Sequence, residues 1–133
     1  MTHTTTSRPG KLARRSRGQV NHLRGLSAED QVQRLYERTG ARCLKRRWRG
    51  RGGEIDLIFE RGEEVIFVEV KASKTHAAAA ESLRPAQAAR VCRAAEEFIG
   101  TRSTGSLTPM RIDVALVNDQ GAIDVLENAL MAA

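Results

Sequence analysis

The chain lacks several things that larger or secreted proteins use. In its 133 residues no apolar run exceeds about five residues, whereas a membrane-spanning helix needs roughly 20; a membrane partner is not expected. The two cysteines, Cys43 and Cys92, fit no Cys-x-x-Cys spacing, which excludes a zinc ribbon and a secreted disulfide framework. Both are expected to be small buried hydrophobes. The amino end is basic but has no apolar segment of the signal-peptide kind, which points to the cytoplasm. Internal repeats are absent. The three histidines also offer little: His3 and His22 fall in the basic amino end and His76 in a loop, where solvation is expected rather than metal ligation.

Acid is missing from the start of the chain. No Asp or Glu precedes Glu29, while Arg8, Lys11, Arg14, Arg15, Arg17 and Arg24 stand in residues 1–25. Those six cations equal the whole net charge of +6, so the other 108 residues balance. Residues 1–25, rich in Thr, Ser, Gly and Arg, are read as a flexible basic tail that cannot repay its ordering entropy, and 26–133 as one domain. A second basic run lies inside that domain: Arg42, Lys45, Arg46, Arg47, Arg49 and Arg51, with Trp48 among them. Guanidinium forks match phosphate oxygens and an indole can stack on an unpaired base. The run is therefore a candidate nucleic-acid surface with strongly salt-dependent binding.

Periodicity supplies the fold. A helix is predicted over 27–39, with Ser27 and Asp30 at capping-box spacing, Val32, Leu35 and Tyr36 as its apolar stripe and Gly40 as its stop. Glu29 lies three residues before Val32 and seven before Tyr36, along the inward edge of that stripe. Residues 42–48 read as a strand. Residues 53–60 (GEIDLIFE) and 65–71 (VIFVEVK) alternate as strands, joined through Arg61-Gly62-Glu63-Glu64, where Gly62 supplies the positive φ of a two-residue turn. A second helix is predicted over 85–99, opened by Pro85 and stopped by Gly100. A strand follows from Pro109, with Met110, Ile112, Val114 and Leu116 alternating. A turn over 118–121, a short last strand and a frayed carboxyl end complete the chain. The order, αβββαβ before that last short strand, predicts a small α/β domain with a central mixed sheet flanked by helices.

The chemistry is expected at the hairpin. If Gly62 and Glu63 form the loop, Arg61 faces Glu64, Asp56 faces Glu69 and Glu54 faces Lys71. Two acids directly across a sheet destabilise it unless something neutralises them, and a divalent cation would. Magnesium takes one or two carboxylates plus waters and phosphate oxygens. The backbone carbonyl of Val70 is a further candidate ligand, and Lys71 is placed to orient water or stabilise phosphoryl charge. The opposite face (Ile55, Leu57, Phe59, Ile66, Val68 and Val70) is expected to be the core, with Ile58 and Phe67 giving partial cover on the acidic side. A solvated strand pair with a Glu54–Lys71 salt bridge is the plain alternative.

GEIDLI followed by VIFVEVK resembles the Asp…Glu-x-Lys core of the PD-(D/E)xK nuclease superfamily. More closely, the chain resembles the bacterial YraN family, described as endonucleases of Holliday-junction-resolvase type. The likeness covers roughly residues 25–130 and includes the Gly25…Glu29 helix opening, Trp48-Arg49, Arg111-Ile112-Asp113 and the closing Glu127-Asn128-Ala129-Leu130. It implies a restriction-endonuclease-like fold with Asp56 and Glu69 as ligands of Mg2+ or Mn2+, Lys71 as catalytic lysine and Glu29 as an acid brought towards the metal. Family members usually carry a lysine where this chain has Gln87, and an asparagine where it has Arg47. Gln87 can still hydrogen-bond a water or phosphate but brings no charge. The alanine-rich stretch 72–82 also departs from the usual pattern.

The expected function is metal-dependent hydrolysis of phosphodiester bonds in DNA, including branched or structured DNA. The alternative is a non-catalytic nucleic-acid-binding protein on the same fold. Many branched-DNA nucleases work as symmetric pairs, so a homodimer is open, although no segment marks its surface.

Overall fold

The computed structural model describes residues 17–130. It contains α1 (Arg17–Arg38), β1 (Arg42–Arg49), β2 (Glu54–Arg61), β3 (Glu64–Ala72), α2 (His76–Glu81), α3 (Pro85–Ile99), β4 (Met110–Val117) and β5 (Ile123–Leu126), with one 3-10 turn at Gly105–Leu107. The strands form one mixed sheet in the order β1-β2-β3-β4-β5. Only β3 and β4 run parallel; the other neighbours are antiparallel. The expected α/β architecture is present, with helices on both faces.

Helix α1 begins ten residues upstream of the Ser27 start read from the sequence. No proline lies between 17 and 27 to stop it, so Ser27 sits inside the helix rather than capping it. Of the tail expected over 1–25, residues 17–25 belong to this helix and 1–16 lie outside the described residues. The helix ends as expected at Gly40, whose φ of +92° only glycine adopts cheaply, while the Ala41 N–H returns to the Tyr36 carbonyl. A second departure is α2. Thr75 accepts the Ala78 N–H at 3.0 Å, which makes it an N-cap for an alanine run that is the best of helix formers. His76, expected in a solvated loop, opens this helix and reaches the Ala122 carbonyl at 2.9 Å.

The hairpin register is the one counted from the turn: Arg61 opposes Glu64 and Leu57 opposes Val68, with Gly62 at φ +62°. Both faces of the central strands β2, β3 and β4 are buried, which corrects the expectation of a single core and partial cover. On one face Leu57, Phe59, Ile66 and Val68 pack under α1 through Val32 and Tyr36. On the other, Ile58, Val65, Phe67 and Ile112 pack under α3 through Val91, Ala94, Ala95, Phe98 and Ile99. The unbroken run Val65-Ile66-Phe67-Val68 is what a strand covered on both sides requires. Ile55, expected beside Leu57, joins the α3 layer instead, so strict alternation in β2 fails around Asp56.

The cysteines are only half-buried and both are free; each borders a core cluster rather than sitting inside one. The carboxyl end is tied down as far as Leu130 instead of fraying. Asn128, at φ +54°, donates its N–H to Asp113, and Leu130 packs between the α3 and α2 layers.

Candidate functional site

The β2–β3 ladder ends at Leu57–Val68, one step before the two acids. There Asp56 Oδ2 takes the Val70 N–H at 2.8 Å, so a side chain replaces the next rung. Extended backbone sends a residue's N–H and C=O to the same edge, so the Val70 carbonyl faces β2 as well. From the other direction, α3 lays its first turns over this end of the sheet. Gln87 donates Nε2 to Glu69 Oε2 at 2.6 Å and accepts Lys71 Nζ on Oε1 at 2.8 Å. Lys71 Nζ is also 3.8 Å from Glu69 Oε2. Asp56, Glu69, Lys71 and Gln87 thus meet, with the Val70 backbone between them. Glu54, expected across from Lys71, pairs instead with Arg49 on β1 at 3.6 Å.

Glu69 is 4% exposed, and its Oε1 is buried with no donor aimed at it. Burial first, then the negative charge of the neighbouring Asp56 carboxylate, pushes the Glu69 carboxyl up to about 8; the Lys71 ammonium works against that rise. The Asp56 carboxyl is also raised, chiefly by burial, against the pull of the Val70 N–H. A buried carboxylate oxygen with no donor, next to a second acid, calls for a proton or a cation. An orphaned buried carboxylate oxygen beside a second carboxylate fits magnesium's demand for few protein ligands. Among the described residues no cluster of three or more His, Cys, Asp and Glu side chains is suited to a metal ion, so the remaining ligands would be the Val70 carbonyl, water and substrate oxygens.

Glu29 stands near enough for its charge to contribute to the rise at Asp56. Its Oε1, however, is held by Arg46 at 3.4 Å and Arg47 at 3.3 Å. The other basic residues are dispersed along edge strand β1. Arg46 reaches Asp30 at 2.7 Å and Arg42 reaches Glu60 at 2.5 Å, while Lys45 lines a separate cavity of about 770 Å3 near the hairpin turn. Trp48 is half-buried, edge-on to Phe98 at 5.3 Å between centroids. The Arg51 backbone N–H donates to Glu97 at 2.8 Å. Much of the cationic run is therefore paired with acids of the same fold.

The acids open into a cleft of about 230 Å3 lined by Glu54, Asp56, Glu69, Gln87, Arg90 and Val91. Arg90 was not singled out from the sequence. Its spacing from Gln87, three residues along one helix, was the available signal.

Residues 28–117 match the model of the uncharacterised protein family UPF0102. A UPF0102 protein of Ruegeria pomeroyi is 55% identical over 114 residues, 86% of this chain and 93% of its own. One from Cereibacter sphaeroides is 51% identical over 115 residues, 86% and 98% of the respective chains. Another, from Roseobacter denitrificans, is 46% identical over 125 residues, covering 94% and 97%. The chain belongs to the uncharacterised protein family UPF0102, the YraN family to which its motifs pointed.

Proposed function

We propose that this protein is a divalent-metal-dependent nuclease that hydrolyses phosphodiester bonds in DNA, including branched or structured DNA. The observation that carries this reading is the Asp56–Glu69 pair: a buried acid whose Oε1 has no donor, beside a half-buried second acid, both lining one cleft. Mg2+ or Mn2+ held there would polarise a phosphate and lower the pKa of water. Asp56, Glu69 and the Val70 carbonyl are the residues that would hold it. Gln87 fixes Glu69 Oε2 and the Lys71 amine relative to each other. Lys71, 17% exposed and 3.8 Å from Glu69 Oε2, would orient the nucleophile or neutralise developing charge. Arg49 at the end of β1 and Arg51 on the loop that follows would take backbone phosphates without reading sequence.

The second reading, a nucleic-acid-binding module that does not cut, draws on the same Gln87, because its amide already occupies both Glu69 and Lys71. Incubating the full chain with single-stranded, duplex and four-way DNA in Mg2+ or Mn2+ separates the two. Cleavage is expected, lost in Asp56→Asn and Glu69→Gln while DNA binding survives. A wild type that binds all three substrates and cuts none would hand the site to the binding reading.

A further inference from the structure

Two cations stand near the acids, Lys71 beside Glu69 and Arg90 on the cleft wall, and they are held differently. Lys71 is largely buried and committed to Gln87 and Glu69. Arg90 is exposed and its side chain forms no hydrogen bond or ion pair among the described residues. Its base is nevertheless fixed. A Cβ placed on Gly53 would come within 3.1 Å of the Arg90 Cβ and 3.2 Å of its carbonyl oxygen, so the β1–β2 loop lies against α3 at this residue. The loop thereby brings Glu54 and Asp56 to the same cleft wall as Arg90. Glu69, lining that cleft, keeps Oε1 buried and without a donor.

An acid pair that awaits a cation and an unpaired guanidinium on the rim suit a ligand with anions in series, one presented to the acids through a cation and the next to the guanidinium. A lone phosphate would satisfy only one of these, whereas a nucleic-acid strand repeats phosphates along its length. The planar fork of Arg can hold two phosphate oxygens at once.

Building on the nuclease reading above, we infer that Arg90 binds the backbone phosphate next to the one presented to Asp56 and Glu69, so that the cleft selects a strand with two successive phosphates. Arg93 is the internal control. It is exposed and carries the same charge one turn along α3, where its Cβ lies 3.0 Å from a Cβ built on Gly52, but it does not line the cleft.

The test uses the full chain. Arg90→Gln is expected to raise KM for DNA cleavage, and Kd for a fluorescent single strand in EDTA, roughly tenfold, with kcat within about twofold. The salt slope of binding should fall by about one phosphate contact. Arg93→Gln should shift Kd by less than about threefold. A neutral methylphosphonate is then placed at each linkage flanking the cleaved one. At one linkage it should cost the wild type as much as Arg90→Gln does, and cost Arg90→Gln nothing more. Equal effects of the two arginine variants, or methylphosphonate effects that add to Arg90→Gln at every linkage, would overturn the assignment. If the wild type neither binds nor cuts DNA, the nuclease reading falls and takes Arg90 with it; if it does both and Arg90→Gln matches it, only Arg90 falls.

Discussion

Asp113 and Glu69 are both buried acids on adjacent strands of one sheet, yet their surroundings are opposite. Asp113, 0% exposed under α1, has donors on both oxygens: the Tyr36 hydroxyl at 2.6 Å, the Arg111 guanidinium at 3.1 Å and the Asn128 N–H at 2.8 Å. Tyr36 in turn stacks on Phe59 with centroids 4.6 Å apart, so the network fastens α1 to the sheet. Glu69, 4% exposed under α3, has one oxygen satisfied by Gln87 and the other by nothing, with a second carboxylate alongside. Burial of an acid does not itself mark function. The number of donors per oxygen separates these two acids, because an unsatisfied buried acceptor costs about 1–3 kcal/mol, which a proton or a cation on Glu69 would relieve.

The sharpest way to break this contrast is to remove each acid. Asp113→Ala leaves the buried Tyr36 hydroxyl without its acceptor and Arg111 with only Glu64 and Glu127 at 3.9 Å, and should cost about 3–5 kcal/mol. Glu69→Gln replaces a carboxyl that is already largely protonated at neutral pH by a neutral amide of the same shape, and should change stability by no more than about 1 kcal/mol. Urea unfolding of both variants checks this, and equal losses would erase the distinction.

Acidity gives a second measure. The Glu69 carboxyl lies at about 8 in the folded chain against an ordinary 4.5, so the folded state holds a proton that the unfolded state has released. Stability from this site is full below about pH 4.5 and is lost as pH rises through about 8. The wild-type unfolding midpoint should therefore fall between those values, and Glu69→Gln should flatten the profile. Metal affinity runs the other way, since a cation must displace the proton; calorimetric Mg2+ binding should strengthen with pH over the same range.

Gln87→Leu strands the Lys71 amine and Glu69 Oε2 together and should cost about 1–2 kcal/mol in urea unfolding. A loss below about 0.5 kcal/mol would mean that water replaces the amide readily. The smallest effect belongs to the surface. Arg46→Gln breaks pairs with Glu29 and Asp30 whose arginine side chain is 42% exposed, and should cost under about 1 kcal/mol.

Much of the site was legible because it is local. Alternation in β2 and β3 and a glycine in a two-residue turn fix which residues oppose each other, and that pairing brought Asp56 towards Glu69. The basic run was visible too, but not its neutralisation: Asp30 and Glu60 are 16 and 18 residues from their arginine partners, and no periodic pattern reports such meetings. Alanines 77–80 looked like composition bias until Thr75 capped them. Ile55 changed layers because the β2–β3 ladder ends at Leu57, where side-chain chemistry replaces the regular rung.

By itself, then, the sequence determined the hairpin, its register and the meeting of two acids, since period-two patterning and turn geometry act over a few residues. Only the tertiary structure decided which buried acid is completed and which is left wanting. Gln87 and Arg90 reach the cleft from a helix packed across the sheet, and Tyr36 reaches Asp113 across 77 residues; such contacts depend on how whole layers dock, which no local spacing encodes.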